Sequence, residues 1–263
     1  MTDTLTSEEN FSRAAGRLAA LRRVSGAEVV DEGIQLAREN YAVLVMAALV
    51  PRLPLFAIAI WAPWHPRGVR SWPLTLFSWA CASLADAAAA RVAMDALEGK
   101  PADPIRALRT ALRRAWPVVL SGLYRVTFGV LGFVVLIVPG LYVLSIYALI
   151  PALPALEPEL GAWQALRRSA TLTQGARLLA FGASAVPYLF VFGVTWVLVA
   201  LPPRIMEPHL GVLFGGIIGA SAALALIPFI AAIQVRLYVE LRMRREAIDI
   251  EWAVASLSAG TAT

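Results

Sequence analysis

The sequence predicts an all-α integral membrane protein with six transmembrane helices and short, basic amphipathic helices beside them. Hydrophobic residues make up 59% of the 263 residues and charged residues only 16%, whereas soluble domains carry about a quarter. The mean hydropathy is +0.69. Apolar runs recur along the chain, and arginines gather at their ends. Lipid is therefore the expected surrounding of most of the chain.

Six apolar runs are candidate spans, because a helix needs roughly 20 residues to cross the hydrocarbon core. They lie at 41–63, 72–95, 116–138, 141–156, 178–201 and 210–235. Pro139-Gly140 predicts a tight turn between the third and fourth runs. The fourth run is short, so we expect it to extend toward Glu157 or to cross a locally thin bilayer.

The arginines orient these spans. Most basic residues fall in the N-terminal segment, in the connections after the second and fourth runs, and after the sixth run. The other connections hold only Arg67, Arg70 and Arg204. Cytoplasmic loops carry the excess of arginine, so both termini are expected in the cytoplasm of a bacterial inner membrane. Residues 1–40 then form a cytoplasmic segment with an amphipathic helix, 41–240 the membrane domain, and 241–263 a cytoplasmic tail.

The net charge of +5 points to a lipid partner rather than to nucleic acid. Nucleic-acid-binding domains cluster basic residues on one patch, whereas here the arginines follow the ends of apolar runs. We therefore expect contact with anionic headgroups at the cytoplasmic leaflet. A membrane-protein partner or a second copy of the chain stays open. The first residues lack the short apolar core and cleavage site of a signal peptide, so none is expected.

The segment 157–175, "EPELGAWQALRRSATLTQG", is too polar to span a bilayer. As a helix, residues 161–174 place Ala162, Trp163, Leu166 and Ala170 on one face. Arg167 and Arg168 lie off that face. The pattern predicts a helix in the membrane interface, with arginines toward anionic lipid. The residues expected to contact headgroups are Arg113, Arg114, Trp163, Arg167 and Arg168. A helix packed on a neighbouring domain is the alternative.

Three similar stretches each precede a pair of apolar runs. They read "EGIQLARENYAVLVMAAL", "PIRALRTALRRAWPVVLSG" and "GAWQALRRSATLTQGARLLAFG". Each is a basic amphipathic stretch that continues into an apolar one. This predicts three repeats of an amphipathic helix plus a two-helix hairpin. Chance similarity is the alternative, since any inner-face segment tends to be basic.

Two stretches resemble a known family. They are "VPGLYVLSIYALIPALPALEPELGAWQALRRSATLTQG" and "LYVELRMRREAIDIE". Both are similar to the membrane-domain family of glycerophosphoryl diester phosphodiesterases. The resemblance implies a multi-span protein of the bacterial inner membrane. Some members carry a soluble phosphodiesterase domain. We find none in this sequence, so the resemblance does not imply that activity here.

Three charges lie deep within predicted spans: Arg52, Asp86 and Arg125. Each is about 13–16 Å from the expected inner boundary, at 1.5 Å per residue. Small residues flank Asp86 and Arg125 at helical spacing, which predicts that both charges point into the bundle. We expect Asp86 to pair with Arg125, with Arg52 as the second candidate. The cluster either locks the helices together or, with its net positive charge, binds an anion or a lipid headgroup.

The remaining candidates argue for packing rather than chemistry. Gly211, Gly215 and Gly219 recur every four residues, which predicts a close helix contact within the bundle rather than a dimer. His65 and His209 show no metal-binding spacing, and the chain has no Gly-x-Ser-x-Gly motif and no phosphate-binding glycine loop. We therefore expect no catalytic residues, metal or cofactor.

These observations predict a non-catalytic protein that acts as a scaffold or lipid-interacting module. The alternative is a transporter or channel for an anion or lipid headgroup that uses the layer of Arg52, Asp86 and Arg125. An intramembrane enzyme is a third, weaker interpretation.

Overall fold

The computed structural model describes residues 25–65, 72–135, 137–150 and 152–246, and these form helices and turns without any strand. The helices are α1 (Gly26–Glu39), α2 (Tyr41–Trp61), α3 (Trp72–Leu97), α4 (Pro104–Arg113), α5 (Ala115–Val135), α6 (Ile137–Ile146), α7 (Leu153–Leu156), α8 (Ala162–Leu172), α9 (Arg177–Ala200), α10 (Pro202–Ile205) and α11 (Pro208–Glu246). A 3-10 turn, Ala62–Trp64, follows α2. The arginines before residue 25, Arg67, Arg70 and the tail after Glu246 lie outside the described residues.

Three of the helical segments in the described ranges are long and apolar enough to cross a membrane. They are Tyr41–Trp64, Arg177–Ile205 and Pro208–Glu246. The all-helical class and the presence of candidate membrane helices are thereby confirmed. The helix α3 is also 26 residues long, but much of its apolar content is alanine and it carries Asp86, Arg91 and Asp95.

Local capping explains where two of the short helices begin. Ser25 and Glu28 form a capping box at the start of α1, in which each side chain bonds the backbone amide of the other residue. At α4 the carboxylate of Asp103 accepts from the amides of Ile105 and Arg106, at 2.9 and 3.2 Å. Pro104 follows that cap, where its missing amide costs nothing.

The 39-residue helix α11 is the axis of the fold, and α1 and α2 run along it in the opposite direction. A Cβ added to Gly33 would lie 2.7 Å from the backbone of Ile233, and one added to Gly216 would lie 2.9 Å from Ala59. Between these points, the Tyr41 hydroxyl donates to the Ala225 carbonyl over 3.1 Å. Residue numbers that increase along α1 and α2 meet decreasing residue numbers along α11, so α1 and α2 are antiparallel to α11.

The core surrounds the C-terminal half of α11. Residues from Ile230 to Tyr238 are all buried there, and the alanines at 87–90 of α3 are fully buried as well. Alanine lets helix backbones approach closely, which explains how several helices share this short stretch of α11. Asp95, also fully buried, pairs with Arg91 and Arg106 at 2.8 Å each and so fixes α4 to the end of α3.

The structure changes two predictions about the middle of the chain. Pro139-Gly140 was predicted as a turn, but it lies within α6. Pro139 is the third residue of that helix, where no backbone amide is needed for an intrahelical bond. The fourth apolar run is not one helix either. It divides at Ile146, whose carbonyl accepts hydrogen bonds from Ser169 and Thr173, and helix resumes only at Leu153.

Candidate functional site

Arg52 of α2 and Asp86 of α3 meet inside the bundle. Their Nη2 and Oδ1 atoms are 3.8 Å apart, so the ion pair that the structure shows is the second of the two predicted candidates. That distance is an ion pair but too long for a hydrogen bond. The Nε atom of Arg52 is buried and has no hydrogen-bond partner among the described residues. The guanidinium is thus incompletely satisfied.

Arg125 of α5 has a different immediate neighbour. Its guanidinium carbon lies 4.5 Å from the centroid of the Tyr188 ring, in a cation–π contact. Gln234 donates to the Tyr188 hydroxyl over 2.9 Å and to the Ala148 carbonyl over 3.4 Å. Arg125 remains close enough to Asp86 to act on it electrostatically. The polar layer therefore links helices α2, α3, α5, α9 and α11.

Sequence reasoning missed Tyr188 and Gln234 in this layer. Gln234 is buried in α11, in the middle of an otherwise apolar stretch. A polar side chain in such a stretch needs a partner, so its presence was an available signal. Its partners come from positions 46 and 86 residues away, which no local pattern reveals.

The helix α8 buries part of the face that was predicted to meet the headgroup boundary. Ala162 and Leu166, which were expected to face the headgroup boundary, are buried inside the protein together with Ala165 and Ser169. Trp163 is 51% exposed, with its ring edge-on to Tyr124 at 6.1 Å. The Arg167 guanidinium lies 5.6 Å from the Trp163 ring centroid. The exposed face of α8 therefore presents an aromatic ring together with a cation.

Arg168 lies in a closed ring of five side chains that joins α8 to α11. Its Nε atom is 3.1 Å from Glu157 Oε1, and its Nη1 atom is 2.5 Å from Glu246 Oε1. Arg242 donates to Glu246 Oε2 over 2.9 Å and to the Tyr238 hydroxyl over 3.1 Å. Tyr238 completes the ring by donating to Glu157 over 2.8 Å. We call this ring the α8–α11 clamp.

The helix α4 and the first turn of α5 present a mixed apolar and basic surface. Ala107 and Ala111 are buried, whereas Ile105, Leu112 and Trp116 are 68%, 53% and 75% exposed. Arg109 and Arg113 are exposed on the same surface. We call these five residues the α4 strip. Arg114 ends the helix and is only half-exposed.

Asp95 controls how α4 is held. Its hydrogen bond to Arg106, together with its charge, raises the pKa of that guanidinium above its ordinary value. Arg106 therefore keeps its charge over the whole accessible pH range. The orientation of the α4 strip is fixed by a buried carboxylate rather than by the exposed residues themselves.

The three glycines of α11 lie against the end of α9 and the start of α10. A Cβ on Gly211 would be 2.5 Å from the backbone of Pro203, and one on Gly215 would be 2.6 Å from the Val199 carbonyl oxygen. Gly219 faces the Val199 side chain equally closely. The close contact made by these glycines is therefore within the bundle.

The two histidines stack on tryptophans at the same end of α11. His65 lies over Trp61 at 4.2 Å between ring centroids, and His209 over Trp64 at 5.8 Å. His209 Nδ1 is also 3.0 Å from the Pro63 carbonyl oxygen. In the part of the chain that the structure describes, no group of three metal-binding side chains is found.

No protein family, curated protein or solved structure matches this chain. The resemblance to the membrane domains of glycerophosphoryl diester phosphodiesterases therefore stays a prediction. Any functional conclusion has to come from the chain's own geometry.

Proposed function

We propose that this protein is a non-catalytic, multi-pass protein of the bacterial inner membrane that binds anionic lipid headgroups and acts as a scaffold. The observation that carries the proposal is the α4 strip, in which three large apolar side chains and two arginines share one exposed surface. In water such exposure would be unfavourable. At a membrane interface the apolar groups enter the headgroup boundary while the arginines meet lipid phosphates.

The exposed face of α8 supports the same contact. Trp163 and Arg167 form a stacked pair there, and Leu178 at the start of α9 is 85% exposed. Tryptophan favours the interfacial depth, and arginine favours anionic lipid. Of the residues predicted to contact headgroups, Arg113, Trp163 and Arg167 remain in that role. Arg114 is only half-exposed, and the α8–α11 clamp engages Arg168.

The proposal includes six spans, of which the fourth is interrupted after Ile146, and three repeats, with both termini in the cytoplasm. Along the chain, α1 precedes α2 and α3, α4 precedes α5 and α6, and α8 precedes α9 and α11, with the short α10 between the last two. This is the order that the repeat requires. Asp95 holds α4, and the α8–α11 clamp holds α8, so both exposed faces are fixed relative to the bundle. A fixed orientation lowers the entropic cost of binding a flat lipid surface.

Lipid selectivity tests this function. The protein is reconstituted in nanodiscs of phosphatidylcholine with a minor fraction of phosphatidylglycerol, and native mass spectrometry reports which lipids stay bound to it. Replacing Arg113 with Gln should weaken preference for phosphatidylglycerol by about fivefold, because one interfacial arginine contributes about 1 kcal/mol. Arg204→Gln is the matched control, since Arg204 is exposed at the other end of α11. Equal preference in both variants would contradict the proposal.

The second candidate is transport of an anion, and one observation favours it. The Nε atom of Arg52 is buried without a partner, and the pair with Asp86 is 3.8 Å apart. A small anion or water molecule would satisfy that guanidinium. The cavity between α1 and α9 and the cavity beside the last turn of α11 are lined by other residues. Chloride efflux from liposomes, with Arg125→Ala as the variant, tests transport directly.

A further inference from the structure

We infer that the cavity between the α8–α9 turn and the last turn of α11 binds a phosphate group. The cavity measures about 230 Å³. Its walls are Leu172, Gln174, Gly175, Ala176, Arg244 and Arg245. The inference goes beyond the proposed function, because it assigns one discrete pocket rather than an interfacial surface.

Arg245 is the group that carries the recognition. Its Nη2 atom donates to Gln174 Oε1 over 3.0 Å, which holds the guanidinium beside the cavity. A guanidinium has five N–H donors, and Gln174 accepts from one of them. Planar, forked donors of this kind match phosphate oxygens.

Among the residues that the structure describes, no charge beside the cavity compensates Arg245. The α8–α11 clamp contains two glutamates and two arginines, so it is neutral as a unit. Arg244 pairs with the buried carboxylate of Glu240 at 2.6 Å. Within the described ranges, no carboxylate forms an ion pair with Arg245. The described wall of the cavity is therefore net positive, which favours an anionic ligand.

A phosphate fits this wall better than a carboxylate does. Arg245 offers guanidinium donors from the end of α11, and Gln174, whose side-chain amide nitrogen is a further donor, lines the cavity from the turn after α8, so the two approach a ligand from different elements. A tetrahedral anion offers oxygens in several directions, whereas a carboxylate offers two in one plane. The competing explanation is that Arg244 and Arg245 only complement the negative end of the α11 dipole. That explanation predicts no phosphate binding.

In the test, inorganic phosphate is titrated into the 263-residue chain in phosphate-free detergent buffer. Isothermal titration calorimetry measures the binding. A second arm uses phosphatidylcholine nanodiscs that contain phosphatidic acid, whose headgroup is a phosphate monoester. Arg245→Gln should weaken binding about tenfold, the loss expected for one charge-assisted hydrogen bond. Gln174→Ala, an exposed position, should weaken it about threefold by freeing the guanidinium. Arg204→Gln should leave the affinity unchanged.

The two arms identify the source of the phosphate. Binding of inorganic phosphate supports the site as a receptor for a soluble phosphate, and binding of phosphatidic acid alone supports it as a headgroup pocket. Wild-type protein that binds neither, or variants that both bind as wild type does, would overturn the inference. A negative result at this cavity can be told apart from a negative result for the proposed lipid scaffold. The scaffold is tested separately, by the preference for phosphatidylglycerol and by substitution in the α4 strip.

Discussion

The hydroxyl of Tyr238 donates a hydrogen bond to the carboxylate of Glu157 over 2.8 Å, although 81 residues separate the two positions in the chain. Tyr238 is 1% exposed, and the same hydroxyl accepts from Arg242. One side chain thus joins both halves of the α8–α11 clamp. The clamp sets the position of α8, and with it the exposed pair of Trp163 and Arg167.

Replacing Tyr238 with Phe tests the clamp. The substitution keeps the ring but removes the hydroxyl, so Glu157 and Arg242 each lose a partner in a partly buried site. The free energy of unfolding should fall by about 1–3 kcal/mol. Thermal unfolding in detergent measures the loss. Tyr41→Phe is the control, because the Tyr41 hydroxyl also bonds a distant residue but the side chain is 38% exposed. The control should cost only about 0.5 kcal/mol, and equal losses would argue against the clamp.

Because the Asp95 carboxylate is buried and its arginine partners are not, we expect removal of the arginines to destabilise the protein more than removal of the carboxylate charge. Asp95→Asn leaves Arg91 and Arg106, which are 25% and 53% exposed and can turn toward solvent. That change should cost about 2 kcal/mol. The double variant Arg91→Gln/Arg106→Gln instead leaves a fully buried carboxylate without cations, and it should cost about 3–5 kcal/mol.

Hydrogen exchange over residues 104–113 separates this effect from a general loss of stability, since α4 should lose protection first. Glu98→Gln removes an ion pair with Lys100 that is largely exposed, and it should cost at most about 1 kcal/mol. A larger cost for Asp95→Asn than for the double arginine variant would contradict the predicted asymmetry.

The ends of the helix α8 were predictable from the sequence, but the side that it buries was not. The helix was expected over 161–174 and spans Ala162–Leu172, because local polarity and Gly175, at φ +85°, define its ends. The face with Ala162, Trp163 and Leu166 was expected to meet lipid headgroups, but Ala162 and Leu166 pack inside the protein while Trp163 stays exposed. Helical spacing allows two neighbouring faces, and the choice depends on Ile146 and Tyr124, which contact α8 from other elements.

In the charged layer of Arg52, Asp86 and Arg125, the sequence likewise predicted part of the arrangement and not the rest. The depths of Arg52 and Asp86 followed from the 1.5 Å rise of a helix, so that their approach was predictable. The choice of partner was not predictable, because it depends on helix rotation and crossing angle. Arg125 lies over Tyr188, a contact between positions far apart in the chain. Packing of this kind is set by the whole bundle, and no single stretch of sequence encodes it.

Two glycines, one in the α11 stripe and one in α9, predict alanine substitutions with opposite effects on stability. Gly215→Ala would place a Cβ 2.6 Å from the Val199 carbonyl oxygen, a backbone atom that cannot move without separating the helices. It should lower the free energy of unfolding by about 1–3 kcal/mol. Gly193→Ala in α9 would meet no heavy atom within 4 Å, and it should stabilise the protein by about 0.5–1 kcal/mol. Thermal unfolding of both in the same detergent checks the signs. A neutral Gly215→Ala would exclude this close contact between α11 and α9.

The pair of Arg52 and Asp86 distinguishes a structural lock from a functional site. Arg52→Gln leaves the Asp86 carboxylate, which is 24% exposed, with a weaker partner, and it should cost about 3 kcal/mol. Replacing both residues with apolar side chains of similar size, as Arg52→Met/Asp86→Leu, removes the pair and should recover part of that loss, because Arg125 then keeps only its contact with Tyr188. If the pair serves only to lock α2 to α3, the double variant keeps its fold and its preference for phosphatidylglycerol. If the pair instead binds a transported anion, wild-type liposomes release chloride and the folded double variant does not. Unfolding and efflux measured on the same preparations therefore decide between the two roles, because only the second role requires charge as well as packing.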